Sequence, residues 1–280
     1  MEVDAITERA VTAERSGFRG IAFMDHLVPP GAEASPMYEA MTLATWVAAR
    51  TTDLVIGHLI LCDAFRHPAV LARQAVTLDH ASGGRFELGL GWGSVAEELV
   101  SFGITPDGPA ARAGQLAESL TLIRRFWTGE PVEFDGDHFS VHSPGQRPTP
   151  RGRIPLVVGG VGGRTLALAR DHADWWNLPI YALDRLEELR PRVGSARVST
   201  QELVAWVPDP SRRQEVEELA WRRYGWMTAS PAVGDADQLV ERFGRLADHG
   251  VERCYVWFTD FAPPATLESF GEQVIGRLSR

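Results

Sequence analysis

Hydrophobic and polar positions along the chain alternate in two rhythms. Over 2–16 the apolar residues Val3, Ile6, Ala10, Val11 and Ala13 recur at helical spacing among Glu and Arg, and Gly17 closes the pattern. Gly20-Ile21-Ala22-Phe23-Met24 follows as an unbroken apolar run, the pattern of a strand covered on both faces. The same exchange predicts helices over 36–50, 68–80, 110–127, 164–172, 184–189, 211–224, 235–249 and 266–278. It predicts strands over 54–61, 86–90, 156–158, 174–177, 201–207 and 254–258. One stretch breaks the rhythm: 131–155 holds a hairpin pattern and then a connection rich in Pro and Arg.

Strands separated by helices need long crossovers and therefore pair in parallel. A (β/α)8 barrel of the TIM type commonly takes ~250 residues. The 280 residues of this chain are accordingly expected to form one α/β barrel domain over 1–280, with 131–155 as a loop insertion. The pattern supplies seven strands, and a helix stands where such a barrel normally begins with a strand. The expectation is a barrel lacking or altered at its first strand, with a gap whose unpaired backbone something must cover.

Composition narrows the function. At 44% hydrophobic and 23% charged residues, the chain can build a large core and falls outside the disordered class. Lys+Arg 28 against Asp+Glu 37 leaves a net charge of −9, which disfavours nonspecific nucleic-acid binding but not an acidic ligand held locally. Two cysteines, Cys62 and Cys254, exclude a disulfide framework and a Cys-based zinc cage. No apolar run approaches the ~20 residues of a membrane span, and no secretory pattern opens the chain. A cytoplasmic protein with neither membrane nor nucleic-acid partner is expected.

In a parallel barrel the chemistry collects where the strands end, because the βα loops converge there. Polar residues follow the apolar runs at Asp25-His26, Cys62-Asp63, Gly91-Trp92-Gly93-Ser94, Asn177 and Thr259-Asp260. The fourth run ends in Gly159-Gly160-Val161-Gly162-Gly163-Arg164. Glycines there admit close backbone approach, and the helix that follows aims its N–H groups and positive dipole end at the loop, which suits a phosphate. The bland alternative is a tight flexible turn. Arg147, Arg151 and Arg153 lie just upstream and could add charge. His26 can give or take a proton near neutral pH with Asp25 to orient it, or it can merely cap the next loop. His138 and His142 with Asp135 and Asp137 read as hairpin residues and not as a metal site, while His172 and His249 sit at helix C-termini. Trp175 and Trp176 suit core packing better than a ligand platform.

These residues, in this order, resemble the luciferase-like monooxygenase superfamily across nearly the whole chain. The match runs through 20–26, Ile56-Gly57-His58-Leu59-Ile60, Arg66-His67-Pro68, the long stretch 78–92 with Ser82-Gly83-Gly84-Arg85, Glu98 to Gly103, Trp127-Thr128-Gly129, 155–160 and 173–177. The resemblance implies a barrel that binds FMN or the deazaflavin coenzyme F420 at its C-terminal rim, and it is nearest to the deazaflavin-dependent oxidoreductases. It implies that His26, with Asp25, is the proton donor or acceptor for hydride transfer to or from a small organic substrate. It places the coenzyme phosphate at Gly159-Gly160 and the loop through Val161, Gly162, Gly163 and Arg164. It also implies a non-proline cis peptide around Leu59-Ile60 behind the ring, and Gly91, Trp92 and Gly93 near the coenzyme. A homodimer and a separate coenzyme reductase accompany that reading. The alternatives are an FMN-dependent monooxygenase using reduced flavin and oxygen, a barrel that binds a ligand without turnover, and a metal-dependent hydrolase.

Overall fold

The computed structural model describes residues 1–278 apart from 31, 33, 106 and 228–230. Its first half runs α1 (Val3–Arg15), β1 (Gly20–Phe23), α2 (Ala40–Ala48), β2 (Val55–His58), β3 (Leu61–Cys62), α3 (Pro68–Ala81), β4 (Leu88–Gly91), α4 (Ala96–Ser101) and α5 (Pro109–Thr128). A hairpin of β5 (Val132–Asp135) and β6 (Ser140–Ser143) precedes β7 (Leu156–Gly159), α6 (Gly163–His172), β8 (Trp175–Leu178) and the single turn α7 (Leu186–Leu189). The chain ends with β9 (Arg197–Trp206), α8 (Arg213–Tyr224), β10 (Ala232–Gly234), α9 (Ala236–Asp248), β11 (Arg253–Phe258) and α10 (Pro264–Phe270).

The strands lie side by side in the order β1, β2–β3, β4, β7, β8, β9, β11, and every pair is parallel. β2 and β3 are one strand interrupted at Leu59-Ile60, whose peptide bond is cis. Short strands suffice because helices cover their outer faces. The largest core cluster joins Ile56, Leu88, Leu90, Leu156 and Val158 on the strands to Leu71, Leu78, Leu116, Leu120 and Ile123 on α3 and α5. Inside the barrel the apolar cluster is small: Leu59, Val157 and Trp175, with Ala22, Ile60 and Tyr255 packed on it.

The stretch that carried the strongest resemblance is a structural pin. Gly83 and Gly84 take φ of +70° and +92°, which turns the chain from α3 toward β4 and aims Arg85 back across the loop before β2. The Arg85 guanidinium donates to the carbonyls of Ala48 and Thr51 at 2.9 Å, and its Nε donates to Ser82 at 2.7 Å. One side chain thus satisfies carbonyls at the ends of two helices and in a loop.

The expected gap lies between β1 and β11. Among the described residues neither strand pairs on its outer edge. Helices α1 and α10 pack against each other over this seam, and Phe18 stacks on Phe270 at 5.9 Å with Phe258 edge-on at 6.2 Å. At the other end of the barrel Arg253 of β11 reaches Glu87, which precedes β4, through both oxygens, with one contact at 3.0 Å. Aromatic packing and the α1–α10 contact therefore join the two edges that no ladder joins, while the Arg253–Glu87 pair ties β11 across the barrel to the start of β4.

Several boundaries differ from expectation. β9 begins at Arg197, four residues before the apolar run, because Ser199 and Thr200 are buried polar positions that bond Asn177 and the Leu178 carbonyl. The helix expected over 184–189 is two 3-10 turns around the single turn α7, and the last helix passes through a π turn at Gly271–Ile275. Gly271 permits that passage, since a Cβ there would strike the Ser16 backbone. β10 and α4 are too short for periodicity to reveal.

Candidate functional site

The strands' C-terminal ends open into a cavity of about 410 Å3. It is lined from seven strand ends: 24–26 after β1, 59–62 around β3, 91–95 after β4, 159–162 after β7, Asn177 on β8, Gln201 on β9 and Trp257 on β11. α4 adds Glu98 and Leu99 to the same wall.

His26 and Glu98 form a pair there. Glu98 Oε2 lies 2.9 Å from His26 Nδ1, while Oε1 accepts the backbone N–H groups of Leu27 at 2.5 Å and Val28 at 3.1 Å. Burial alone would raise the Glu98 carboxyl, but the bonds from His26, Val28 and Leu27 outweigh it and hold the group below the usual carboxylate range. An ionised Glu98 accepts from Nδ1–H, so the neutral ring presents Nε2 as its unengaged nitrogen. Glu98 lies on a six-residue helix after the glycine-rich loop, a segment with no periodic signal of its own.

Asp25 is occupied differently. Its Oδ2 accepts from Cys62 N at 2.8 Å and Arg66 Nη1 at 2.6 Å, and its Oδ1 accepts from Arg66 Nη2 at 2.9 Å. The same guanidinium reaches Glu39, the N-cap of α2. Asp25 therefore ties the end of β1 to β3 and α2, and makes no hydrogen bond to the His26 ring beside it.

Ile60 forms the floor. The cis peptide turns its side chain toward β4 and β7, where Gly89, Gly91 and Gly159 leave room. A Cβ on Gly91 would collide with Ile60 Cδ1, and one on Gly159 would stand 3.5 Å from the same atom. Three glycines on two neighbouring strands are spaces that Ile60 fills.

At the opposite end of the cavity the glycine loop leads into α6. Gly160 sits at φ +125°, its N–H donates to Asn177 at 3.1 Å, and its carbonyl accepts from the buried Trp176 Nε1 at 2.9 Å. The loop is thus fixed, not floppy. The N-cap of α6 is Gly162, with no side-chain cap and no acidic residue in the first turn. Its first N–H groups lack the carboxylate or hydroxyl that usually answers them, an arrangement complementary to an anion. Thr165, which closes the polar stretch after β7, lines the cavity from this helix.

Asp25, His26, Leu59, Ile60, Gly91, Trp92, Gly93, Gly159, Gly160, Val161 and Gly162 all line this one cavity, while Gly163 and Arg164 begin α6 beside it. Arg112 holds the Trp92–Gly93 loop by donating to the Trp92 carbonyl at 2.7 Å. The upstream arginines lie elsewhere: Arg147, Arg151 and Arg153 precede β7 and stand at the strands' N-terminal ends. There Arg153 Nε donates to Asp174 at 2.9 Å and the Arg151 N–H to Asp79 at 2.7 Å. Chain proximity misled because β7 separates them from the loop it leads to. Trp176 is core, as expected, and Trp175 faces the barrel interior with the guanidinium carbons of Arg253 and Arg197 at 3.8 and 4.0 Å from its ring centroid.

A parallel (β/α)8-type barrel with a glycine loop at a helix N-terminus and a histidine–carboxylate pair in one rim cavity defines a barrel with a ligand-sized site at its C-terminal rim. Residues 1–202 match the family model described as luciferase-like monooxygenase. The chain belongs to that family. The F420-dependent glucose-6-phosphate dehydrogenase of Nakamurella multipartita is 31% identical over 170 residues, covering 60% of this chain and 50% of that protein. The F420-dependent hydroxymycolic acid dehydrogenase of Mycobacterium tuberculosis is 32% identical over 175 residues, covering 62% of this chain and 48% of that protein. The matches thus span about half the length of these curated relatives. Among solved structures, an F420-dependent secondary alcohol dehydrogenase in complex with an F420-acetone adduct superposes with a TM-score of 0.85 at 19% identity, covering 98% of this chain and 95% of that one. That likeness establishes the barrel fold.

Proposed function

We propose that this protein is a coenzyme F420-dependent oxidoreductase acting on a small organic substrate, with His26 as the proton donor or acceptor. One observation carries the reading: a single cavity runs from the uncapped N-terminus of α6, over the Ile60 floor, to the His26–Glu98 pair. The F420-dependent relatives support the choice of coenzyme.

The residues present fit such a coenzyme. Gly159 through Gly162 and the first N–H groups of α6 would hold its phosphate, because Gly160 has no Cβ to obstruct the approach and a Cβ there would press on Thr165 at 3.1 Å. Ile60 would back the ring. When bound, the deazaflavin supplies a two-electron hydride donor or acceptor. The protein's own work is positional: Glu98 fixes the His26 tautomer, Asp25 and Arg66 hold the strand end that carries His26, and His26 Nε2 holds or takes the proton of the substrate oxygen. A separate reductase, or a dehydrogenase working in the other direction, would return the coenzyme.

Titration with F420 and with FMN, followed by quenching of each coenzyme's fluorescence, tests the reading. Tight quenching with F420 and weak quenching with FMN is expected; the reverse would favour an FMN-dependent monooxygenase. His26→Ala should leave F420 affinity intact and lower turnover by ~10²–10⁴, the usual contribution of a positioned acid or base. Loss of affinity with an unchanged rate constant would remove that role.

A further inference from the structure

We infer that the open seam between β1 and β11 is a slot for one extended, uncharged strand of a partner polypeptide, which pairs in parallel with both edges and completes the barrel. The inference goes beyond the function proposed above and does not depend on the coenzyme.

Backbone groups carry the first half. In a parallel strand, successive residues turn their N–H and C=O groups to opposite edges. On β1 the carbonyls of Arg19 and Phe23 accept from Val55 and Leu59, so Gly20 and Ala22 turn theirs to the seam. Just before β11 the Glu252 N–H donates to the Val198 carbonyl, so Arg253, Tyr255 and Trp257 turn theirs to the seam. Among the described residues neither set has a ladder partner. The paired strands of this barrel lie in close contact along their length, and β1 and β11 do not. Burial agrees with an open space: β4 and β8 are buried throughout, whereas Ile21, Ala22 and every residue from Arg253 to Trp257 are half-buried. The wall has seven strands where a barrel of this type closes with eight.

Side chains define the occupant. Inside, Ala22 and Tyr255 pack on the small apolar cluster of Leu59, Val157 and Trp175. Outside, Ile21 packs on the main core, and Cys254 and Val256 on the cluster of Phe258 and Phe270. Arg253 is the only charged residue of either strand, and Glu87 already answers it. A strand apolar on both faces fits, as in this barrel's own buried strands, and a charge at its centre would be buried unpaired. An acyl chain would leave two rows of N–H and C=O groups unanswered. The folded edge of a second barrel is kept out because α1 and α10 pack together over the outside, so the space suits a strand that comes alone. Strand addition draws affinity from main-chain hydrogen bonds and selectivity from alternate side chains. Met24 and Trp257 stand at the upper ends of the two edges and both line the rim cavity, so the occupant's last residue adds a wall to it.

The test uses the whole protein and the fluorescein-labelled peptide Lys-Lys-Val-Ile-Val-Ala-Val-Lys-Lys, with binding read by anisotropy. We expect saturable binding with a Kd of about 10 μM or tighter, and a Tm raised by about 5 °C or more at ~100 times that concentration. Hydrogen exchange should slow at least tenfold at Ala22, Tyr255 and Trp257. A peptide N-methylated at alternate residues cannot donate to one edge, and one with Asp at its centre buries a charge; both should bind at least tenfold more weakly. No saturable binding up to about 1 mM, equal binding of the N-methylated or Asp peptide, or protection elsewhere in the chain overturns the inference. So does a dimer in light scattering whose Ala22, Tyr255 and Trp257 amides are already protected, which would assign the slot to a second copy.

Discussion

Replacing Asp63 by asparagine tests the electrostatics beneath the cavity. Asp63 opens the 3-10 turn after β3, is 3% exposed, and its Oδ2 accepts from Gln115 Nε2 at 3.1 Å. Burial pushes its carboxyl from the ordinary 3.8 up to about 6, against the pull of Ser119, Gln115 and His138. A folded-state pKa above the unfolded one means that the native protein holds the proton more tightly. The group's contribution is therefore fully present below the unfolded pKa and is lost as pH rises through about 6. The rise from 3.8 to about 6 corresponds to ~3 kcal/mol at ~1.4 kcal/mol per pH unit. Asparagine keeps the shape and the acceptor for Gln115 but cannot ionise. In urea denaturation Asp63→Asn should match the parent near pH 4 and exceed it by up to about 3 kcal/mol at pH 8. A difference of the same size at both pH values, or a less stable variant at pH 8, would show that the ionised carboxylate has a partner and that burial does not govern it.

Three further perturbations address the site and its frame. Glu98→Gln keeps an acceptor for His26 but removes its charge, and should lower kcat by about 10²-fold with F420 affinity unchanged in the fluorescence titration. Gly160→Val places a branched side chain at a φ of +125° and against Thr165, so F420 affinity should fall at least tenfold, about 1.4 kcal/mol, before any change in the rate constant of the bound enzyme. Arg253→Met leaves Glu87, 10% exposed, as an unpaired charge inside the barrel, and denaturation should record a loss of about 3–5 kcal/mol that adding Glu87→Gln largely restores.

Much of the barrel is legible in the sequence because buried parallel strands write themselves as apolar runs and their covering helices as amphipathic ones. The strand ends at Asp25-His26, Asn177 and the glycine loop could be read the same way, since a polar residue after an apolar run marks the rim. What escaped reading depends on contacts distant along the chain. Glu98 finds His26 across 72 positions, and its helix is too short to announce itself. Arg253 and Glu87 are 166 positions apart, and neither carries a local signal. Asp25 beside His26 suggested an orienting pair, but the side chain turns to Arg66 instead, since a bidentate guanidinium outcompetes a ring nitrogen for a carboxylate. Arg153 suggested a phosphate partner because it is close in sequence to the glycine loop, yet a strand carries the chain from one end of the barrel to the other between them.

The unpaired edges of β1 and β11 make this barrel a clamp and not a hoop. A continuous ladder resists widening, because each increment breaks a row of hydrogen bonds; here the two lips are held by the Phe18, Phe258 and Phe270 contacts, by α1 packing on α10 and by Arg9 donating to the Phe261 carbonyl. His26 rides on one lip and Trp257 on the other. The width of the slit thus sets the distance between the His26 ring and the Trp257 ring across the mouth.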